Sequence, residues 1–285
     1  MFLETAPGDA TIAVLARQLR DLGRAQGLSD DRIVELVAAF VQAIPYDTPK
    51  AQRILSTADL TGGTLVYPYE TLWQNTGVCS DKSILLYALL HALGYGVALL
   101  TYDEQQHMAV GVQCPAAYAS YPSGYCYIET TTPMPIGMIP SLDAKNNQAT
   151  APSLHTGAGG VFDAQRALGA VATYAATQGR VYTGVIQTHA IIKEINALQA
   201  SIAAQKAKIL SKEKKLNRIQ RGIERMAEKL QKYKDREAYD KYNALVDPYN
   251  AALGDHEEER KKLIKRLDAY NHAIARYNEL ITLLQ

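Results

Sequence analysis

The chain has 285 residues, 47% of them hydrophobic, which is enough for a buried core in one large or two modest domains. Its 30 basic and 29 acidic residues give a net charge of +1, which indicates neither a nucleic-acid-binding chain nor an acidic partner. Three cysteines are too few for a disulfide framework. No uncharged apolar run of about 18 residues occurs, so no transmembrane segment is predicted.

The first five residues, Met1-Phe2-Leu3-Glu4-Thr5, lack the basic and apolar regions of a secretory signal peptide. The cytoplasm is therefore the default prediction. A chain cut after a leader or an N-terminal anchor would look the same.

Amphipathic periodicity predicts two helices near the N-terminus, over residues 10–26 and 29–44. Ser29 is a suitable N-cap for the second helix, and Pro45 ends it. A third helix is predicted over residues 79–93, where the apolar residues again recur with a period of 3.6.

Strands are predicted next, over residues 96–102, 107–113 and 125–131. Prolines and a glycine in the loop before the third strand indicate a hairpin between the last two. Helices followed by antiparallel strands are typical of an α+β fold. Residues 161–176 are rich in alanine and are predicted to form a further helix.

The charge and the apolar periodicity of the sequence change near residue 188, so two domains are predicted, over residues 1–187 and 188–285. The second segment holds 20 basic and 14 acidic residues, whereas the first is net acidic. Apolar residues in the second segment recur in alternating steps of four and three, the heptad pattern of a coiled coil. The heptads before and after residues 234–238 are out of phase, and the two arms are nearly equal in length.

These features predict an antiparallel helical hairpin that turns near residues 234–238. Facing positions in the two arms would then have residue numbers that sum to about 472. Lys212 would lie opposite Arg260, and the two cations would need a nearby acid, Glu213 or one of the glutamates at 257–259. Such an arm could bind a protein partner or mediate self-association.

Cys79 lies in the run Thr76-Gly77-Val78-Cys79-Ser80-Asp81-Lys82-Ser83, at the start of the third predicted helix. The backbone N–H groups and the helix dipole at that position favour a thiolate. A cysteine nucleophile needs a base and a group that orients the base, and His107 and Glu129 suit these two roles.

Strand alternation predicts that His107 and Glu129 share one face of the hairpin if they lie opposite each other. The other face would then point into the core, with Met108, Val110, Val112, Cys126 and Ile128. In this register Cys126 lies opposite Val110 and Cys114 opposite Pro122. The two cysteines would be about four residues out of register, too far apart for a disulfide.

Each of these residues also has a simpler interpretation. A lone cysteine is more often a small buried apolar residue than a nucleophile. His107 alone would be an ordinary strand histidine, and Glu129 alone a solvated surface residue. No spacing of cysteine and histidine matches a zinc site, so no metal or cofactor is predicted.

Six segments carry a family resemblance through their order and spacing. They are residues 40–46, 67–72, 77–83, 89–95 and 107–112, and the run Tyr127-Ile128-Glu129-Thr130-Thr131. Together they resemble the prokaryotic transglutaminase-like family, over roughly residues 30–140. The resemblance implies a papain-like fold and a triad of Cys79 as nucleophile, His107 as base and Glu129 as orienting acid. The family usually has aspartate at the last position.

The resemblance further implies that the backbone N–H of Cys79 and a side chain just upstream, Gln74 or Trp73, stabilise an oxyanion. It implies a thiol enzyme that attacks amide bonds of proteins or peptides through a thioester, as a hydrolase or a transamidating acyltransferase. The alternative is a non-catalytic scaffold or protein-interaction module on the same fold, with the hairpin as its binding arm. The sequence leaves open the substrate, the acceptor and the oligomeric state.

Overall fold

The computed structural model describes residues 10–57, 65–120, 123–139 and 170–284. The chain divides into two compact units, of which the second is Lys193–Leu283. The first contains the residues up to Ile192 together with Leu284. The predicted domain boundary between residues 187 and 188 stays a prediction.

The first unit begins with helices that surround a central one, helix α5. The helices are α1 (Thr11–Ala25), α2 (Asp30–Gln42), α3 (Thr48–Thr57), α4 (Pro68–Gln74) and α5 (Cys79–Ala92). The hydroxyl of Ser29 accepts a hydrogen bond from the N–H of Arg32 at 3.3 Å, which confirms Ser29 as the N-cap of α2. Helix α5 is buried along nearly its whole length because α1, α2 and α4 pack on it from one side and the sheet from the other.

Four antiparallel strands form the sheet, in the order β3-β2-β1-β4. They are β1 (Val97–Tyr102), β2 (His107–Gln113), β3 (Tyr125–Ile128) and β4 (Ala172–Tyr174). The main core lies between α5 and one face of the sheet and includes Val110, Val112, Cys126 and Ile128. The opposite face has a smaller cluster of Leu100, Tyr102, Ala109 and Tyr127. The predicted α+β fold is confirmed.

Two predicted elements differ from the structure. The alanine-rich helix over residues 161–176 falls largely outside the described residues, but its end is wrong, because Ala172–Tyr174 is strand β4 and pairs with β1. Pairing with an existing sheet edge here overrides the helix propensity of alanine. Strand β3 ends at Ile128, so Glu129 follows the strand instead of lying within it.

The predicted register of β2 and β3 is also wrong. The structure pairs Val110 with Ile128 and Val112 with Cys126, a shift of two residues from the prediction. Cys114 and Cys126 form a disulfide with their Cα atoms 5.7 Å apart, which the predicted register excluded. Alternation determines which face a side chain occupies but not a slip by two residues, so the face assignments remain correct.

Two long helices follow, α6 (Val185–Asp235) and α7 (Tyr239–Leu284), and they pack on each other. Residues 236–238 join them, and Glu237 has a φ of 54°. The ammonium of Lys212 lies 2.6 Å from the carboxylate of Glu259, which confirms that an acid from the facing arm pairs with Lys212. None of the described helices has a segment apolar and long enough to cross a membrane.

Candidate active site

Three different elements position the predicted site residues. Cys79 is the first residue of α5, His107 is the first residue of β2, and Glu129 directly follows β3. The structure places Nε2 of His107 3.1 Å from Oε2 of Glu129, and Cys79 lies close enough to the imidazole to raise its pKa. The thiol of Cys79 itself donates to the carbonyl of Gln106, the residue before His107, at 3.9 Å. Cys79 is partly exposed and Glu129 is buried, so the thiol is the accessible end of the arrangement.

The start of α5 is held in place by a buried acid. The N–H of Val78 donates to Oδ2 of Asp81 at 3.1 Å, and the ammonium of Lys50 lies 2.7 Å from the same oxygen. Gly77 packs so closely there that an added Cβ would lie 3.1 Å from Cβ of Asp81 and 3.2 Å from Cγ2 of Thr71. The close approach and the capping contact together fix the backbone that presents Cys79.

Glu129 has a hydrogen-bond donor for nearly every lone pair of its carboxylate. Oε1 accepts from the N–H of Thr130 at 2.9 Å and from the N–H and hydroxyl of Thr131 at 2.8 and 2.7 Å. Oε2 accepts from the hydroxyl of Tyr127 at 2.6 Å and lies 3.1 Å from Nε2 of His107. A carboxylate only accepts hydrogen bonds, so Nε2 carries the hydrogen.

These contacts control the protonation of the site. Burial disfavours the charged carboxylate, but hydrogen bonds from His107, Tyr127 and Thr131 outweigh it and lower the pKa of Glu129 to about 2. Burial likewise disfavours the imidazolium, but interactions with Cys79 and Glu129 outweigh it and raise the pKa of His107 to about 10. The raised pKa of His107 and the lowered pKa of Glu129 both favour the charged form of each group.

A second layer of polar contacts joins the nucleophile helix to the segments around it. The buried ammonium of Lys82 donates to the carbonyls of Gln42 and Ile44 at 3.1 and 2.7 Å. The amide of Gln42 donates to the carbonyl of Glu129 at 2.8 Å. Burial lowers the pKa of Lys82 to about 8, although the charge of Glu129 acts in the opposite direction. This network links the end of helix α2 to α5, which carries Cys79, and to Glu129.

Two tyrosines at the site were not predicted. Tyr127 shares the sheet face of His107 and Glu129, and strand alternation alone could have identified it because it lies two residues before Glu129. Tyr46 pairs with Gly77 just before the nucleophile. Burial and the charges of Cys79 and Glu129 raise the pKa of Tyr46 to about 12, so its phenol stays a donor.

Both predicted oxyanion side chains lie at the end of α4 and are exposed. Trp73 is 89% exposed, which is unusual for the one tryptophan of the chain. The assignment of Gln74 or Trp73 to the oxyanion stays a prediction. Among the described residues no group of three or more His, Cys, Asp or Glu side chains that could hold a metal ion occurs.

Comparison with known proteins gives one match. Residues 12–121 match the model of a family described as a transglutaminase-like domain. The matched segment contains Cys79 and His107 and ends before Glu129. No curated protein and no solved structure matches the chain. The predicted resemblance is confirmed, and the chain carries a transglutaminase-like domain.

Proposed function

We propose that the protein is a thiol enzyme that acts on amide bonds of proteins or peptides through Cys79, His107 and Glu129. One observation carries the proposal: Nε2 of His107 lies 3.1 Å from a buried, well-anchored carboxylate, and interactions with both Glu129 and Cys79 raise the pKa of the imidazole. A histidine in this setting can protonate a leaving group and take the proton back from the next nucleophile.

In the proposed reaction the thiolate of Cys79 attacks the carbonyl carbon of an amide. The C–S bond forms as the C–N bond breaks, and the nitrogen leaves as ammonia or an amine with a proton from His107. Water or a second amine then attacks the thioester, and His107 takes its proton. The thiol is released, and the product is a carboxylic acid or a new amide.

Thiol labelling tests the proposal directly. The chain has three cysteines, two of which form the disulfide, so Cys79 is the single free thiol and the labelling signal is unambiguous. We expect iodoacetamide to label the wild-type protein rapidly at pH 6, well below the ordinary thiol pKa of about 8.5. His107→Ala should lose most of this rate.

His91→Ala is the matched control, because His91 lies on the same helix, is exposed and stacks on Tyr87 far from the thiol. It should label like the wild type. Ordinary, pH-limited labelling in all three proteins would contradict the enzyme proposal and favour a non-catalytic interaction module.

The second half of the reaction needs its own measurement. We propose hydrolysis or transamidation on the same acyl-enzyme, and a protein substrate incubated with a fluorescent primary amine distinguishes them. Incorporation of the amine indicates transamidation, and cleavage without incorporation indicates hydrolysis. Hydroxylamine should intercept the thioester in either case, and Cys79→Ser should abolish all three products.

We further propose that the helical hairpin of α6 and α7 is the part that contacts a protein partner or a second copy. Its long helices pack on each other and present charged outer faces, and this geometry supports a binding arm. Sedimentation of the full chain tests self-association: a concentration-dependent mass would support it, and a constant monomer mass would contradict it.

A further inference from the structure

We infer that Tyr127 is a positioning residue, which holds Glu129 and His107 in register through its hydroxyl. The inference rests on the proposed function, but the contacts of Tyr127 that support it do not depend on a substrate. The hydroxyl lies 2.6 Å from Oε2 of Glu129 and 3.2 Å from Nε2 of His107. No other described hydroxyl is within hydrogen-bonding distance of both groups.

The hydrogen bonds among the three groups have defined directions. The hydroxyl of Tyr127 donates to the carboxylate, because the carboxylate can only accept. The oxygen of Tyr127 keeps a lone pair that accepts from Nε2–H of His107, and Oε2 of Glu129 accepts from the same N–H at 3.1 Å. Nε2–H of His107 therefore points between the hydroxyl of Tyr127 and Oε2 of Glu129, which are hydrogen-bonded to each other.

A glutamate needs this restraint because its side chain is long. Glu129 lies after the end of β3, so strand pairing does not fix its backbone. The N–H groups of Thr130 and Thr131 hold only Oε1. If the carboxylate pivots around Oε1, Oε2 moves away from the imidazole. The hydroxyl of Tyr127 supplies the second anchor, on the oxygen that faces His107.

The ring of Tyr127 is enclosed by protein. It is fully buried, and it packs edge-on against Tyr102 with centroids 6.3 Å apart. Tyr102 in turn lies against the imidazole of His107 at 6.1 Å. Close packing around the ring restricts where its hydroxyl can lie, and a positioning role requires such a restriction.

The test compares Tyr127→Phe with Tyr125→Phe in the full chain. Both substitutions remove one buried hydroxyl from β3 and keep the ring, but the hydroxyl of Tyr125 donates to the carbonyl of Thr177, away from the site. We expect both variants to fold and to lose similar stability by thermal unfolding. Only Tyr127→Phe should lower the rate of Cys79 alkylation at pH 6, by roughly ten-fold, the effect of losing one hydrogen bond to a charged group.

A second measurement keeps this inference separate from the proposed function. The pKa of His107 is followed by NMR with ¹⁵N-labelled histidine, assigned by comparison with His107→Gln, and it needs neither substrate nor a reactive thiol. Tyr127→Phe should lower this pKa, because a loosened carboxylate stabilises the imidazolium less. A rise would show that Tyr127 competes with the imidazole for Oε2, and an unchanged pKa would show a purely structural role; either result overturns the inference.

If Tyr127→Phe does not fold, Thr131→Val provides the comparison. It removes a hydroxyl donor from Oε1 at a partly exposed position. An unchanged His107 pKa in that variant would show that the anchoring of Glu129 does not control the imidazole, and the inference would fail. If wild-type Cys79 proves unreactive while these pKa shifts occur, the proposed function is wrong and the positioning role stands.

Discussion

The hydroxyl oxygens of Ser83 and Thr130 lie 3.1 Å apart in the protein interior. Ser83 is four residues after Cys79 on α5, and Thr130 directly follows Glu129, so this contact joins the nucleophile helix to the acid loop. The hydroxyl of Ser83 also donates to the carbonyl of Met108 on β2 at 3.0 Å, and Thr130 therefore donates to Ser83. One serine thus connects all three elements that carry the site.

Removing this link should weaken both stability and reactivity. We expect Ser83→Ala to lower the free energy of unfolding by about 1–3 kcal/mol, because it leaves the buried hydroxyl of Thr130 without an acceptor. Urea unfolding of Ser83→Ala, Thr130→Val and the double variant measures the coupling. The double variant should be less destabilised than the sum of the two single variants, and strict additivity would contradict a direct contact.

Glu129 should be sensitive to both its length and its charge. In Glu129→Asp the carboxylate is withdrawn by one methylene, so it cannot keep the threonine donors on one oxygen and His107 on the other. We expect about a ten-fold lower rate of Cys79 alkylation at pH 6, and a loss of 100-fold or more in Glu129→Gln, whose amide cannot accept the same donors. Glu104→Gln, at an exposed position near the start of β2, is the control and should react like the wild type. Equal rates in Glu129→Gln and the wild type would remove Glu129 from the site.

The features that were predicted correctly from the sequence are those that depend on residues close together in the chain. The N-cap at Ser29, the helix that starts at Cys79 and the common face of His107 and Glu129 follow from capping preferences and periodicity. The error in the hairpin register was two residues, and an even slip leaves every side chain on its face. The same alternation extends to Tyr127, so the sequence contained that signal too.

The contacts that were not predicted from the sequence depend on tertiary structure. Lys82 binds carbonyls about 40 residues earlier in the chain, and Gln42 binds the carbonyl of Glu129 across 87 residues. No periodicity relates such positions, because they meet only after α2 and α5 have packed. The disulfide was not predicted for a different reason. It depends on the register of β2 and β3, which the alternation of side chains along a strand does not determine.

Stability should depend on pH through His107 and Glu129. The raised pKa of His107 means that the folded protein keeps a proton that the unfolded chain loses above about pH 6.5, so stability falls as the pH rises towards 10. The lowered pKa of Glu129 gives stability that is present above about pH 4.5 and is lost as the pH falls towards 2. Lys82 acts in the opposite direction above pH 8, where its folded pKa lies below the ordinary 10.5.

The window from pH 6.5 to 8 therefore isolates His107. We propose to measure it in Cys79→Ser, where Glu129 remains as the group that raises the pKa of His107. The free energy of unfolding should fall by up to about 2 kcal/mol across this window, the limit for one proton over 1.5 pH units. Adding Glu129→Gln should remove most of the slope. A flat profile in Cys79→Ser would show that Glu129 does not raise the pKa of His107 without the thiol.

The disulfide between Cys114 and Cys126 should be a stabilising cross-link. The two residues are 12 apart in sequence, and closing a loop of this length stabilises a protein by about 3 kcal/mol. Both cysteines are buried, so reductant should reach them slowly in the folded protein. Cys114→Ser/Cys126→Ser should therefore unfold at lower urea concentration than the wild type, while Cys79 should still be alkylated at pH 6 because none of its contacts involves the cross-link.

Thiol counting in denaturant checks the bond itself. Denatured wild-type protein should show one free thiol before reduction and three afterwards, whereas the double serine variant should show one in both conditions. Disulfides form in oxidising compartments, so protein made in a reducing cytoplasm should contain three thiols and show the lower stability of the double variant until it is oxidised. Three free thiols in protein prepared under oxidising conditions would contradict the bond and, with it, the strand register that brings Cys114 to Cys126.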